Sequence, residues 1–236
     1  MPRKRRDFIP GHPYHLTQRG NRKTRTFLDD TDRRVYMRLL VENCTYERVR
    51  IWSYSLMDNH VHHIAVPEQQ YSLSRAFQKT HGSFAAYFNA RYVKSGHLWQ
   101  GRFKACLLDE SHLWNAIRYV ERNPVRAGIV KRAEDYPWSS AAAHCGIRHD
   151  EVLSYDLPLP GVIPNWSAWL RIQEENTDLE FIRRRTQTGR PCASDEFVRK
   201  LEAQFGLSLL PKKRGPRKAA PEVDHPQDEP KSLGFE

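Results

Sequence analysis

Between residues 13 and 123 the hydrophobic period alternates between two and three-to-four residues in a fixed order, which limits the folds open to the chain. Pro13–Arg19 reads as a short strand ending at Gly20. Asp30–Glu47 carries Val35, Leu39, Leu40 and Cys44 at helical steps. Ile51–Met57 and His60–Val66 are two strands around Asp58-Asn59, a dipeptide suited to a tight hairpin. Ser72 is placed to cap a helix whose apolar positions run from Leu73 through Phe77 and Phe84 to Phe88. Leu98–Leu108 alternates again, with Trp99, Phe103, Ala105 and Leu107 on one face and Gln100, Arg102 and Lys104 on the other. A last helix is expected from Ser111 as cap to Asn123, stopped by Pro124.

The order β-α-β-β-α-β plus one helix is the split βαβ, or ferredoxin-like, arrangement: an α+β fold with an antiparallel sheet. In that topology the first and third strands are central. The third strand, His60–Val66, therefore lies mid-sheet.

Downstream, Thr177 to Glu180 has capping-box spacing, and Gly189 can end the helix that follows. Ser194 can cap another with Phe197, Val198, Leu201 and Phe205 on one side. The pair is expected as a small helical C-terminal extension, with helix-turn-helix geometry as one option. The chain thus divides into a basic arm over 1–12, a main domain over 13–147, the extension over 148–211, and a basic run with an acidic tail over 212–236.

Charge is the first clue to partners. The 236 residues carry a formal charge of +10, and the first 25 hold eight basic residues against the single acid Asp7. Lys212–Lys218 is a second basic run, broken by glycine and proline, while residues 219–236 carry five acids and one lysine and read as a disordered tail. Such a distribution points to a polyanion as partner. No apolar run approaches the ~18 residues of a membrane span, so a membrane partner is excluded and a cytoplasmic, nucleoid-associated chain is expected. Cys44, Cys106, Cys145 and Cys192 lie far apart without a C-x-x-C pair, which argues against a zinc ribbon or a disulfide framework.

The densest chemistry is His60-Val61-His62-His63. On a strand His60 and His62 share a face, and two adjacent imidazoles are most of a metal site. A bare H-x-H is also what a polar strand face of mutually hydrogen-bonded histidines looks like. On the last helix, Tyr119 and Asn123 are one turn apart. They lie roughly 110° and 70° from the centre of the apolar stripe formed by Leu113, Ala116, Ile117 and Val120. Both flank that stripe, where a side chain can reach a cleft between helix and sheet.

These residues, with Gly96-His97-Leu98-Trp99-Gln100-Gly101-Arg102-Phe103-Lys104 and Arg118-Tyr119 through Asn123-Pro124-Val125-Arg126-Ala127-Gly128, resemble the single-tyrosine HUH transposases, and among them the REP-associated tyrosine transposases. Tyr14–Asn21 and Tyr136–Ser140 extend the match over nearly all of residues 10–146, and Thr188–Pro191 with Asp195-Glu196-Phe197 resembles the C-terminal part of that branch.

The resemblance implies a ferredoxin-like nuclease acting on single-stranded DNA at REP-type palindromic hairpins. It assigns Tyr119 as nucleophile, forming a 5′-phosphotyrosine, and His60, His62 and Asn123 as ligands of Mg²⁺ or Mn²⁺. The candidate DNA contacts are Arg3, Lys4, Arg5, Arg6, Arg19, Arg22, Arg102, Lys104, Arg118, Arg122, Arg126 and Arg190. Two further readings stay open: a non-catalytic DNA-binding regulator on the same fold, and a different metal hydrolase built on His60 and His62. Monomer and homodimer, with the tyrosine acting within its own chain or across to another, are both compatible with the sequence.

Overall fold

Strand β1 (Tyr14–Arg19) and strand β3 (His60–Pro67) form the centre of a four-stranded antiparallel sheet, flanked by β2 (Val49–Met57) and β4 (Lys104–Leu107) in the order β2-β3-β1-β4. The computed structural model describes Arg6 and residues 8–158, 163–173 and 176–209. Arg3, Lys4, Arg5, the basic run over 212–218 and the acidic tail lie outside the described residues. The α+β class, the element order and the central placement of β1 and β3 agree with the sequence reading.

Helices α1 (Asp30–Tyr46) and α2 (Ser72–Arg91) cover one face of the sheet. Inward-facing Tyr14 and Leu16 of β1 and Val61 and Ala65 of β3 pack there with Tyr36, Phe77, Phe84 and Trp99. The other face takes α3 (Glu110–Glu121), packed through Leu113, Ala116, Ile117 and Val120 against Trp52, Ile64 and Val66. Strand alternation makes both layers possible, since His60, His62 and Ile64 point to the α3 side while Val61, His63 and Ala65 point away.

Four local expectations change. The strand expected over Leu98–Leu108 shrinks to Lys104–Leu107, preceded by a single bridge between Gly20 and Trp99. The intervening backbone is satisfied elsewhere: Asn21 N donates to Leu98 O at 2.7 Å, Gln100 N to Arg19 O at 2.9 Å, and the Gln18 side chain to Gly101 O at 2.7 Å. Trp99 and Phe103 are still buried on the expected face, so the side-chain pattern survives where the ladder does not. Asp109, not Ser111, caps α3, accepting from His112 N at 2.9 Å; a carboxylate suits the positive helix end better than a hydroxyl. Ser72 is the first residue of α2 and makes no cap, its buried Oγ lacking a hydrogen-bond partner. Helix α3 ends at Glu121, and Asn123 opens a separate short helix, α4 (Asn123–Arg126), whose first turn accommodates Pro124.

Beyond residue 140 come α5 (Ala141–His144), α6 (Trp166–Arg171), α7 (Asn176–Thr188) and α8 (Asp195–Phe205). Gly189 (φ 68°) follows α7, and Ser194 caps α8 by accepting from Phe197 N at 3.2 Å, both as read from sequence. The two helices do not form a helix-turn-helix pair. Between them Cys192 bridges to Leu108 beside β4, which sends Leu179 and Ile182 of α7 to the α3 face and Leu201 of α8 to the opposite one.

Candidate active site

The α3 face of the two central strands carries His15, Thr17 and Arg19 from β1 opposite His60, His62 and Ile64 from β3, with Thr17 paired to His62 and Arg19 to His60. Tyr119 comes down onto this row from α3. Its ring centroid lies 5.6 Å from that of His62 and 5.7 Å from that of His15, edge-on to both, and the His60 and His62 rings are 5.0 Å apart. All of these residues belong to one chain.

His60 and His62 are each hydrogen-bonded through Nδ1, and His15 through both ring nitrogens. His60 Nδ1 lies 2.6 Å from Asn59 Oδ1, and the orientation of that amide is fixed because its Nδ2 donates to Lys23 O at 3.0 Å. His60 Nδ1 is therefore the donor, and its Nε2 is left with a lone pair. His62 Nδ1 lies 2.8 Å from His15 Nε2, and His15 Nδ1 lies 2.8 Å from Thr186 Oγ1 of α7.

Burial pushes the His60 pKa down to about 4, with the Arg19 charge adding to it. His15 is pushed down to about 3 by burial and then by Arg126. His62 falls well below the usual histidine value, through burial first and then through its neighbours His60, His15 and Arg126. At neutral pH the three rings are uncharged bases with lone pairs, the form a metal ion needs.

Asn123, one turn beyond Tyr119, has a buried Nδ2 with no hydrogen-bond partner. Its side-chain oxygen, not that donor nitrogen, is the atom chemically suited to a hard divalent cation. Among the described residues no cluster of three or more His, Cys, Asp or Glu is placed to hold a metal, so a site would need the Asn123 amide beside the two histidines.

Arginines surround Tyr119. Arg126 stacks its guanidinium 4.3 Å from the ring centroid and hydrogen-bonds the Tyr119 carbonyl, and Arg183 of α7 lies 6.0 Å from the same ring. Arg118 stacks over Trp169 at 5.1 Å and Arg122 reaches the Ile172 carbonyl, so both lie against α6 and its end. Arg19, Arg22, Arg102, Lys104 and Arg190 are exposed. Arg6 and Arg102 instead line a cavity of about 680 Å³ on the α2 side, beside Gln18, Phe77 and Trp99. The structure therefore gathers His60, His62, Tyr119 and Arg126 in one place and distributes the remaining basic residues over both faces of the sheet. His15, Thr186 and Arg183 escaped the sequence reading. For His15 a signal existed, because it shares its strand face with Thr17 and Arg19 next to the His60 strand.

Residues 9–123 match the family model described as "Transposase IS200 like". A Haemophilus influenzae protein named "Putative REP-associated tyrosine transposase" is 30% identical over 154 residues, which span 59% of this chain and 85% of that protein. The chain belongs to the REP-associated tyrosine transposases. The solved structure of a REP-associated tyrosine transposase bound to a REP hairpin superposes with a TM-score of 0.52 at 20% identity, over 67% of this chain and 94% of that one. Its likeness establishes the shared REP-associated transposase fold. Among the described residues no helix is long and apolar enough to cross a membrane.

Proposed function

We propose that this transposase cleaves and rejoins single-stranded DNA at REP-type palindromic hairpins with Tyr119 as nucleophile. The observation that carries the reading is the edge-on approach of the Tyr119 ring to His62, 5.6 Å away, with His60 adjacent. The partner is suggested by the solved relative, which was captured on a REP hairpin.

His60 and His62, through their Nε2 atoms, and Asn123, through its side-chain oxygen Oδ1, would hold the ion. A bound Mg²⁺ or Mn²⁺ supplies charge to the scissile phosphate, polarising phosphorus and stabilising the negative charge that builds on its oxygens. Tyr119 Oη forms the new bond to phosphorus and releases its phenolic proton. The P–O3′ bond breaks, its electron pair leaves on the 3′ oxygen, and that oxygen takes up a proton to become a free 3′-OH. The product is a 5′-phosphotyrosine, a phosphodiester like the one consumed, so the reverse attack by a 3′-OH rejoins DNA without a nucleotide triphosphate.

Arg126 holds the tyrosine from its face and its backbone. The exposed Arg19 and Arg22 extend positive charge from the His60 end of the sheet, where a DNA backbone can be neutralised. The cavity of Arg6, Arg102 and Trp99 offers charge beside an aromatic surface, a combination suited to an unpaired nucleotide. Because Tyr119 meets His62 of its own chain, we assign the nucleophile to the same protomer as the histidines.

Labelled hairpin DNA with flanking single strand, incubated with Mg²⁺ or Mn²⁺, tests the reading. Cleavage that is lost with chelator and in His62→Ala supports it. Tight hairpin binding without cleavage in either metal would favour the regulator instead.

A further inference from the structure

The contact between His15 and His62 does more than fill space. Both side chains are buried, their rings stack with centroids 5.1 Å apart, and the Nε2-to-Nδ1 distance of 2.8 Å requires one proton between them. The same constraint recurs at the far nitrogen of His15, 2.8 Å from the hydroxyl of Thr186, itself 3% exposed. The three groups form a closed line, and its protons must all run in one direction. In one direction Thr186 donates to His15, His15 donates to His62, and His62 carries its own hydrogen on Nε2. In the other, His62 Nδ1–H donates to His15, His15 Nδ1–H donates to Thr186, and His62 Nε2 is bare. Only the second leaves His62 able to bind a cation.

We propose that His15 and Thr186 are positioning residues that fix His62 as the Nδ1–H tautomer with Nε2 open to the metal. The inference rests on His62 being a ligand, as argued above. It makes α7 of the C-terminal region part of the site: Thr186 lies 171 residues from His15 in sequence and supplies the acceptor at which the line ends. Partners of this kind set ring orientation and ligand basicity, and their loss typically weakens metal binding by about 10–100-fold.

The test uses the whole protein and two readouts that do not depend on catalysis. Mn²⁺ affinity, read by electron paramagnetic resonance, is expected to fall by about 10–100-fold in His15→Phe. In Thr186→Val it should fall by a smaller factor, with Thr186→Ser, which restores the hydroxyl, returning to wild type. Imidazole ¹⁵N shifts in the Mg²⁺-saturated wild type are expected to place the shared proton on His62 Nδ1. A proton found on His15 Nε2 overturns the proposal. So does Mn²⁺ affinity within twofold of wild type in Thr186→Val, which also serves if His15→Phe does not fold. His62→Ala separates the two layers. Unchanged Mn²⁺ affinity there refutes the ligand assignment itself, whereas loss in His62→Ala with no change in Thr186→Val refutes only the role of the chain.

Discussion

The Arg126 guanidinium lies 4.3 Å from the centroid of the Tyr119 ring and also hydrogen-bonds the Tyr119 carbonyl, so one side chain at the end of the next short helix holds the proposed nucleophile at two points. A half-desolvated cation over an aromatic face contributes about 1–2 kcal/mol. Arg126→Ala is therefore expected to slow covalent attachment about 5- to 30-fold, measured in a single turnover at saturating DNA so that weaker binding does not enter. Arg126→Lys should recover part of the loss. A rate unchanged in Arg126→Ala would mean the tyrosine is held by other contacts.

Glu121, two residues beyond Tyr119, is fully buried and accepts from Ser140 Oγ at 2.5 Å, His144 Nδ1 at 2.6 Å and Trp166 Nε1 at 2.8 Å. It joins α3 to α5 and α6. Removing one member of a buried charged pair costs about 3–5 kcal/mol, the loss expected in urea unfolding of Glu121→Ala. Burial works against charging His144, but the Glu121 carboxylate outweighs it and raises its pKa above the usual 6.5. That contribution is fully present below pH 6.5 and is lost as pH rises through the raised value. Stability of Glu121→Ala should lack this alkaline decline.

His81 has the opposite sign. Burial on the α2 side lowers its pKa to about 3, while in the unfolded chain it titrates near 6.5. Above pH 6.5 neither state is protonated and the residue is neutral in its effect. As pH falls toward 3 the unfolded chain takes up the proton first, and stability drops by up to about 1.4 kcal/mol per pH unit. His81→Phe should flatten the acid limb of stability against pH by about one proton between pH 6 and 4. An unchanged slope would place His81 in contact with water.

Gly20 is required for steric reasons. A Cβ there would stand 2.3 Å from Thr24 O and 2.8 Å from Thr26 Cγ2, although its φ of −58° suits any residue. Gly20 N also donates to the backbone oxygen of Asn59 at 2.8 Å, the residue whose side chain orients His60. Gly20→Ala is expected to cost about 1–3 kcal/mol, measured by urea unfolding.

Periodicity was enough to read the sheet and its central strands, because each element buries one face and the apolar spacing records which. The same logic placed Tyr119 at the flank of its helix. It failed over Leu98–Phe103, where Trp99 and Phe103 are buried as a strand would bury them while the backbone bonds to β1 and its loop instead. Side-chain pattern reports burial, not ladder geometry. Asp109 was passed over as a cap for Ser111 because both are good capping residues two positions apart. Thr186 is invisible for a deeper reason: its contact with His15, 171 residues away, leaves no local spacing to detect. Of the candidate DNA contacts, Arg118 and Arg122 also touch α6 or its end, a contact that charge in the sequence does not show.

The central claim is that Tyr119 becomes covalently attached to DNA. Hairpin DNA with its 5′ and 3′ flanks, incubated with the protein and Mn²⁺, digested and mapped by mass spectrometry, tests it directly. A nucleotide carried as a phosphodiester on the peptide containing Tyr119, absent from Tyr119→Phe, is the predicted result. Cleavage that persists in Tyr119→Phe, or an adduct on any other residue, would contradict it.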